Sequence, residues 1–324
     1  MQIQEWDADR ADVLAMLYNQ QTTGVAYTYP VTPEEFVAGC AHKRVSDSSF
    51  LVAVTADQPV GFAHIGRFTS YAEGDQTPDV VGMLRFLCFA PPARATGLAL
   101  VRAAESTLGE RGFVNIRGFD GGGYPFYRFG FPALSAQFSH IGALLGSSGY
   151  IHQSHWESDA YVLMQCPTFA APPLDYPTDL ELRVREELYD GLLHLFVELY
   201  DQGTCIGKCL AYSLGTTNRA PDARAVFYTR TLDVAETARG KGYGRLLMQA
   251  VHWEMRRREH QHAVLYTSLT NFRAQALYAS LGYRVCDTTY HWAKISNRDG
   301  NGIEEVGNDA FTLVCVVDYD GPHH

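Results

Sequence analysis

Apolar and polar positions follow the same order twice along this chain. From Ser49 to Phe68, "SFLVAVTADQPVGFAHIGRF" gives two apolar runs about a polar break at Asp57–Pro59, the pattern of two strands and a turn. In the second half, "HLFVELYDQGTCIGKCLAYSL" repeats it, with Asp201 and Gln202 in the places of Asp57 and Gln58 and Gly207 in that of Gly61. Leu188, Leu192, Leu195 and Leu199 also fit a helical period; the match to the first half decides for strands. A nearly continuous apolar strand follows in each half, "VVGMLRFLCFA" and "AVFYTRTLDVA", and then a loop that opens a helix, "ARATGLALVRAAESTL" and "ARGKGYGRLLMQAV". Setting Arg94 on Arg239 brings Gly97 to Gly242, Ala99 to Gly244 and Arg85 to Arg230. Leu100, Val101, Ala104 and Leu108, and Leu246, Leu247, Ala250 and Val251, form the apolar faces of these helices. A further strand ("GFVNIRGF", "HAVLYTSL") and a short helix ending at glycine ("YPFYRFGF", "FRAQALYASLGY") complete each copy. So long an ordered repeat predicts a duplicated fold.

The proline-rich stretch "CPTFAAPPLDYPTDL" separates the copies. The expected organisation is a first domain over 1–166, a linker over 167–179 and a second domain over 180–324. The first domain begins with two further helices, "DADRADVLAMLYNQQ" and "TPEEFVAGCAHK". The second has only "REELYDGLL" in the matching place, too short for two helices. A chain of 324 residues with 46% hydrophobic and 19% charged residues builds packed cores and is not disordered. Its net charge is −10, with 10 basic and 16 acidic residues up to Cys166 and 16 and 20 beyond it. Neither half is built for nucleic acid. The run Arg256–Arg258 reads as a solvated helix C-terminus. No apolar run is long enough for a membrane span, and the acidic start "MQIQEWDADR" is no signal peptide. Seven cysteines without metal spacing suit reduced thiols and a cytoplasmic protein. His152 with His155, and His260 with His262, lack further ligands and read as surface histidines, so no metal is expected. The tail "DYDGPHH" is either natural or appended.

The candidate chemistry sits in "ARGKGYGRLLMQAV". Glycine lets the backbone turn freely and approach a ligand closely. A helix N-terminus offers unpaired N–H groups and a partial positive charge. Together they make an anion site, to which Arg239, Lys241 and Arg245 add charge. Taken alone, the loop is equally an ordinary turn before a helix. It is not a dinucleotide fingerprint: Gly240, Gly242 and Gly244 have the wrong spacing, and "AVLYTSLTN" ends without an acid.

Arg239-Gly240-Lys241-Gly242-Tyr243-Gly244 resembles the Arg/Gln-x-x-Gly-x-Gly/Ala signature of the GNAT N-acetyltransferase superfamily, and "TRTLDV" before it and "NFRAQALYASLGY" after it resemble that family's acyl-CoA core. The likeness is specific over residues 180–295 and looser over 45–165. It implies an α/β fold of two tandem GNAT-like domains, each a central mixed β-sheet flanked by helices. It implies acetyl-CoA, or another acyl-CoA, as co-substrate, and a small-molecule primary amine as acceptor by direct attack. The amides of Arg239, Gly240, Lys241, Gly242, Tyr243, Gly244 and Arg245 would hold the pyrophosphate, and Leu232, Asp233 and Val234 would pair with pantetheine. The N–H of Leu232 or Val234 would face the thioester oxygen. Asn271 would touch the cofactor or simply cap its helix. Tyr278, four residues before Gly282, would protonate the departing thiolate. Arg230, where some relatives have a Glu base, would grip an anionic group of the substrate or pair with a nearby acid; it is no base.

The first half departs from the pattern. Phe126 takes the Tyr position, no Asn matches Asn271, and Ala95, Thr96 and Ala99 replace Gly240, Lys241 and Gly244. It is expected to be a degenerate copy that supplies part of a substrate wall, with "FDGGGYPF" a mobile loop or a plain turn. The expected function is an acyl-CoA-dependent N-acyltransferase. The alternatives are a non-enzymatic acyl-CoA-binding or regulatory protein, and acyl transfer to a nucleophile other than an amine.

Overall fold

The computed structural model describes residues 1–7, 10–70, 79–154, 158–189, 192–216 and 221–295. His155 and the tail "DYDGPHH" lie outside the described residues. Two compact units divide the chain.

The first unit holds residues up to Val162 together with 268–270 and 286–295. Its elements begin with β1 (Gln2–Trp6), α1 (Ala11–Thr22), α2 (Pro33–Cys40), β2 (Val45–Thr55), β3 (Gln58–Ser70), β4 (Asp79–Phe89), α3 (Arg94–Glu110) and β5 (Ile116–Gly118). They continue with β6 (Leu134–Ser135), α4 (Ser139–Ser147) and β7 (Ile151–His152), after which β8 (Ala160–Cys166) leads out of the unit. Both expected N-terminal helices form. α2 starts where the sequence asks it to: Thr32 Oγ accepts from Glu35 N–H, Glu35 accepts from Thr32 N–H, and Pro33 takes the first helical position. The β2–β3 hairpin turns through Ala56 and Asp57, both at positive φ, which keeps the strand twist across a two-residue connection.

The chain returns to this unit over residues 286–295. β14 (Arg284–Tyr290) reaches it at Thr289 and Tyr290, which pair with Ser135 and Leu134 of β6. β15 (Trp292–Lys294) then lies antiparallel between β5 and β7. The sheet runs β1-β2-β3-β4-β5-β15-β7, antiparallel except where β4 meets β5. Buried polar contacts hold the returning segment. Arg128 and Asp287 form an ion pair at 2.9 Å with both side chains buried. His291 donates from Nδ1 to the Phe119 carbonyl at 2.8 Å, with Asp120 3.2 Å away.

One expected element is replaced. "YPFYRFGF" does not form a short α-helix; its backbone makes only a 3-10 turn at Arg128–Gly130, with Arg128 and Phe129 at positive φ. Its rings explain why. Tyr124, Phe126 and Tyr127 pack into an aromatic core with Tyr18, Phe36 and Phe86, and burying all three rings at nearly successive positions does not suit a helix, which turns them to different sides.

The second unit holds Leu163–Thr267 and Asn271–Val285. Its sheet strands are β9 (Leu180–Tyr189), β10 (Leu192–Asp201), β11 (Thr204–Ser213), β12 (Val226–Val234) and β13 (His262–Ser268), and its helices are α5 (Tyr243–Arg256) and α6 (Phe272–Ser280). The strand choice for "HLFVELYDQGTCIGKCLAYSL" holds: β10 and β11 form a hairpin turning at Gln202 and Gly203, again both at positive φ. "REELYDGLL" contributes to β9 and β10 rather than to helices. β9 to β12 are antiparallel neighbours in order, and β12 meets β13 in parallel. α5 buries Leu246, Leu247, Ala250, Val251 and Met255, the face its period marks out. Gly207 of β11 admits it, for a Cβ there would meet Leu247 at 2.9 Å.

The linker is fixed to α5 by two side chains. Arg256 donates to the Phe169 carbonyl at 2.5 Å and lies over its ring, and His252 bonds the Ala170 carbonyl at 3.3 Å. The run at the end of α5 is therefore only partly solvated: Arg258 pairs with Glu254 and Glu186. His260 is no surface histidine. It is buried edge-on against Phe227, and burial lowers its pKa.

Candidate functional site

The glycine loop of the second unit forms an open N-terminal cradle. After β12 a 3-10 turn over Glu236–Ala238 reverses the chain, and Arg239 ties it back by donating from Nε to the Val234 carbonyl at 3.1 Å. Gly240 and Gly242 follow at φ 82° and 85°, the left-handed region where a side chain is strained. Gly242 is the residue just before α5, and the first intrahelical bond runs from Leu246 N–H to its carbonyl. The amides of Tyr243, Gly244 and Arg245 precede that bond and are open to a ligand. A Cβ on Gly240 or Gly242 would have no neighbour within 4 Å, so space lies beside both. Lys241 and Arg245 are exposed, and Arg245 donates to Ser280 Oγ at 2.6 Å, joining the start of α5 to the end of α6.

Beside this loop the sheet opens. β12 and β13 pair only from Val226 with His262 to Thr229 with Leu265. Beyond that point Arg230–Val234 keep β11 as their partner and leave β13. The ladder with β11 shifts register between Leu210 and Ala211, which makes Arg230 the extra residue of a bulge on β12. Strand alternation gives the amide directions. Ala235 N–H donates to the Ile206 carbonyl at 2.9 Å on the β11 side. The N–H groups of Leu232 and Val234, an odd number of residues away, therefore turn from β11 into the gap, and that of Asp233 turns towards β11. Gly244 closes one wall: a Cβ there would lie 3.4 Å from Leu277 and 3.9 Å from both Leu232 and Val234.

α6 supplies the opposite side. Asn271 caps it, its Oδ1 accepting from Ala274 N–H at 3.1 Å, so the capping role is present whatever else the side chain does. Leu277 meets Gly244, and the next residue, Tyr278, is buried in contact with the ring of Tyr283, 5.9 Å between centroids. Besides packing there, Tyr283 places its hydroxyl 3.0 Å from His252 Nε2. With the Ala170 carbonyl at Nδ1, the consistent tautomer has Nδ1–H donating to that carbonyl and Tyr283 O–H donating to Nε2. Burial first, opposed by the Ala170 bond, lowers the His252 pKa to about 4, and burial raises that of Tyr283 well above 10. The pair is neutral across the physiological range.

On the face of the sheet turned from α5 stand residues that sequence reasoning did not single out. His194 stacks on Tyr212 at 5.0 Å, and Tyr212 meets Tyr228 edge-on. Burial, then the charge of Arg230, lowers the His194 pKa. Strand alternation across the β10–β11 hairpin was the available signal, since His194 and Tyr212 are directly paired.

The first unit repeats the frame without the cradle. β4 and β5 pair only from Gly82 with Ile116 to Leu84 with Gly118, and Arg85 is the extra residue of a bulge on β4. α3, however, starts at Arg94 and includes Ala95, Thr96, Gly97 and Ala99, so the motif region is helix rather than open loop. The Phe89 carbonyl, counterpart of that of Val234, is taken by His140 at 3.1 Å. Gly121–Gly123 form a clamped turn: a Cβ on Gly121 would strike Phe68, and one on Gly123 the Gly130 carbonyl. Tyr124 and Phe126 fill the aromatic core behind it, with Tyr124 O–H 2.6 Å from His64 Nδ1. A cavity of about 340 Å³ remains at the end of β4, between Gln21, Cys88, Phe89, Phe138 and His140.

Two mixed sheets, each splayed at a bulged central strand beside a helix N-terminus, make up the fold. Residues 156–283 match the model of the acetyltransferase (GNAT) family. Over 90% of the chain the fold is similar to that of a tandem GNAT structure. It is similar to a tandem GNAT protein from the clavulanic acid biosynthesis pathway, with a TM-score of 0.61 at 14% identity over 90% of this chain and 98% of that one. It is similar to a GCN5-related N-acetyltransferase from Sphaerobacter thermophilus, with a TM-score of 0.59 at 15% identity over 90% and 95%. A glucosamine N-acetyltransferase region of a fungal multi-domain β-N-acetylglucosaminidase gives a TM-score of 0.61 at 14% identity, over 90% of this chain and 38% of that one. No curated protein matches the sequence.

Proposed function

We propose that this protein transfers an acetyl group from acetyl-CoA to the primary amine of a small molecule, and that the second unit holds the reacting groups. The observation that carries this reading is the juxtaposition at the open end of β12. A positive-φ glycine loop caps α5 where two inward-facing amides border the gap. The amides at the start of α5, with Arg239, Lys241 and Arg245 around them, suit a pyrophosphate. The exposed edge of Leu232–Val234 suits the pantetheine amides, which would continue the sheet. The amine nitrogen attacks the thioester carbonyl, whose oxygen takes on charge and is met by the Leu232 or Val234 N–H. The C–N bond forms, the C–S bond breaks, and the ammonium proton goes to solvent. The thiolate takes a proton from Tyr278 O–H, which solvent restores.

The test is release of CoA thiol from acetyl-CoA across a panel of amines, with the wild type and Tyr278→Phe compared. The reading expects amine-dependent release that falls on the order of 10²-fold in kcat for the variant, with little change in acetyl-CoA affinity. Binding of acetyl-CoA without amine-dependent release from any member of the panel would favour a binding protein instead.

A further inference from the structure

Each unit places an arginine at the bulge of its central strand, Arg85 on β4 and Arg230 on β12. The two side chains have opposite surroundings. Arg85 is 3% exposed. Its guanidinium donates to the carbonyls of Gly39 and Cys40, at the C-terminal end of α2, and to those of Gly122 and Gly123. A helix end carries partial negative charge, so this buried cation is neutralised by the protein itself. Arg230 is half-buried, and among the described residues it makes neither a hydrogen bond nor an ion pair. The acid that sequence reasoning offered as its partner is absent among those residues. Its electrical neighbours are His194 and Tyr212, on the face turned from α5. Burial raises the Tyr212 pKa to about 12 against the opposing pull of Arg230, and lowers that of His194, so neither supplies a counter-charge.

A guanidinium offers five donors in a planar fork and is costly to desolvate without acceptors. Its complement is a carboxylate, taken by two parallel bonds. Arg230 lies two residues before Leu232 and four before Val234, at the end of the gap away from the glycine loop. In the acyl-transfer reading, on which this inference rests, that is the end where acyl group and acceptor meet. We propose that Arg230 grips a carboxylate in the reacting complex and that this carboxylate belongs to the acceptor. The substrate is then an amine that also carries a carboxylate, of the amino acid class, rather than a plain polyamine or an amino sugar. The other source of the same chemistry is an acyl chain with a terminal carboxylate.

The experiment uses the full chain. CoA release is measured with acetyl-CoA and with succinyl-CoA against a set of amino acids and their carboxamides, for wild type, Arg230→Gln and Arg230→Lys. Ligand-observed NMR measures binding of the matching N-acetyl amino acids and N-acetyl carboxamides in the presence of CoA, a readout that needs no turnover. The expected result is a preference of at least about 10-fold for the free acid over its carboxamide, the share a charge-assisted pair contributes. Arg230→Gln abolishes that preference through the acceptor KM, and Arg230→Lys, which keeps charge without the fork, retains part of it. Equal use or equal binding of acids and carboxamides by the wild type overturns the proposal, as does an unchanged preference in Arg230→Gln. A preference that depends on Arg230 for succinyl-CoA over acetyl-CoA, with none among acceptors, moves the carboxylate to the acyl chain and overturns its assignment to the acceptor. Amines of both kinds acetylated equally would leave acyl transfer standing while this inference fails. Carboxylate-selective NMR binding with no CoA release from any pair would do the reverse.

Discussion

Tyr278 is the buried side chain of α6, and its neighbour Leu277 touches the glycine loop through Gly244. That placement was legible, because a helical period and a glycine four residues on fix which face of a short helix turns inward. Arg230 was legible as a position and illegible as a role. Its register with Arg85 could be read from the repeat, but one guanidinium is saturated by carbonyls and the other is not, and only tertiary neighbours decide that. The buried Arg128–Asp287 pair was missed for the same reason: its partners are distant in the chain and neither belongs to a periodic pattern. Removing one partner strands the other charge in a site closed to water. Asp287→Ala should therefore destabilise the first unit by about 3–5 kcal/mol. Chemical denaturation checks it, and a loss below 1 kcal/mol would mean that water reaches Arg128.

Among the elements, the loop before α5 is the clearest case of sequence dictating backbone. Gly240 and Gly242 adopt φ values that cost an ordinary residue about 1–2 kcal/mol. Gly242→Ala should lower stability by about that amount and weaken acetyl-CoA binding, while Gly242→Glu adds a negative charge in the cradle and should abolish binding. Calorimetric titration of each variant decides, and unchanged affinity in Gly242→Glu would remove the loop from the cofactor site. "YPFYRFGF" is the contrary case. It follows a strand and ends at glycine as a helix would, yet ring burial took precedence over local pattern. Histidines pinned between elements set a pH response. His42 and His252 have pKa values lowered to about 4, chiefly by burial, and His64 is lowered for the same cause. The unfolded chain binds protons at these residues near pH 6.5, and the folded chain refuses them at His42 and His252 until about pH 4. Stability is thus full above pH 6.5 and falls as the pH drops through that window, by up to on the order of 3 kcal/mol for His252. Thermal melts at pH 7.5 and 4.5 should show a lower Tm in acid, and Phe in place of His252 should reduce the difference. A Tm that rises on acidification would contradict the assignment.

Over the whole chain, duplication made most of the fold readable. Two ordered copies of hairpin, strand, loop, helix and strand constrain each other where one copy would leave helix and strand in competition, as at Leu188–Leu199. What duplication could not give is the return of residues 286–295 to the first unit, since a strand inserted between β5 and β7 leaves no local signature. Nor could it show how far the two copies differ in local geometry. The second unit has an open glycine cradle beside a splayed strand, and the first has a helix over the same motif and aromatic rings behind it. If the chain holds one acyl-CoA site, in the second unit, native mass spectrometry of the full chain titrated with acetyl-CoA should show a single bound acetyl-CoA that disappears in Gly242→Glu and persists in Gly97→Glu. Two bound molecules, or one that survives Gly242→Glu, would contradict it.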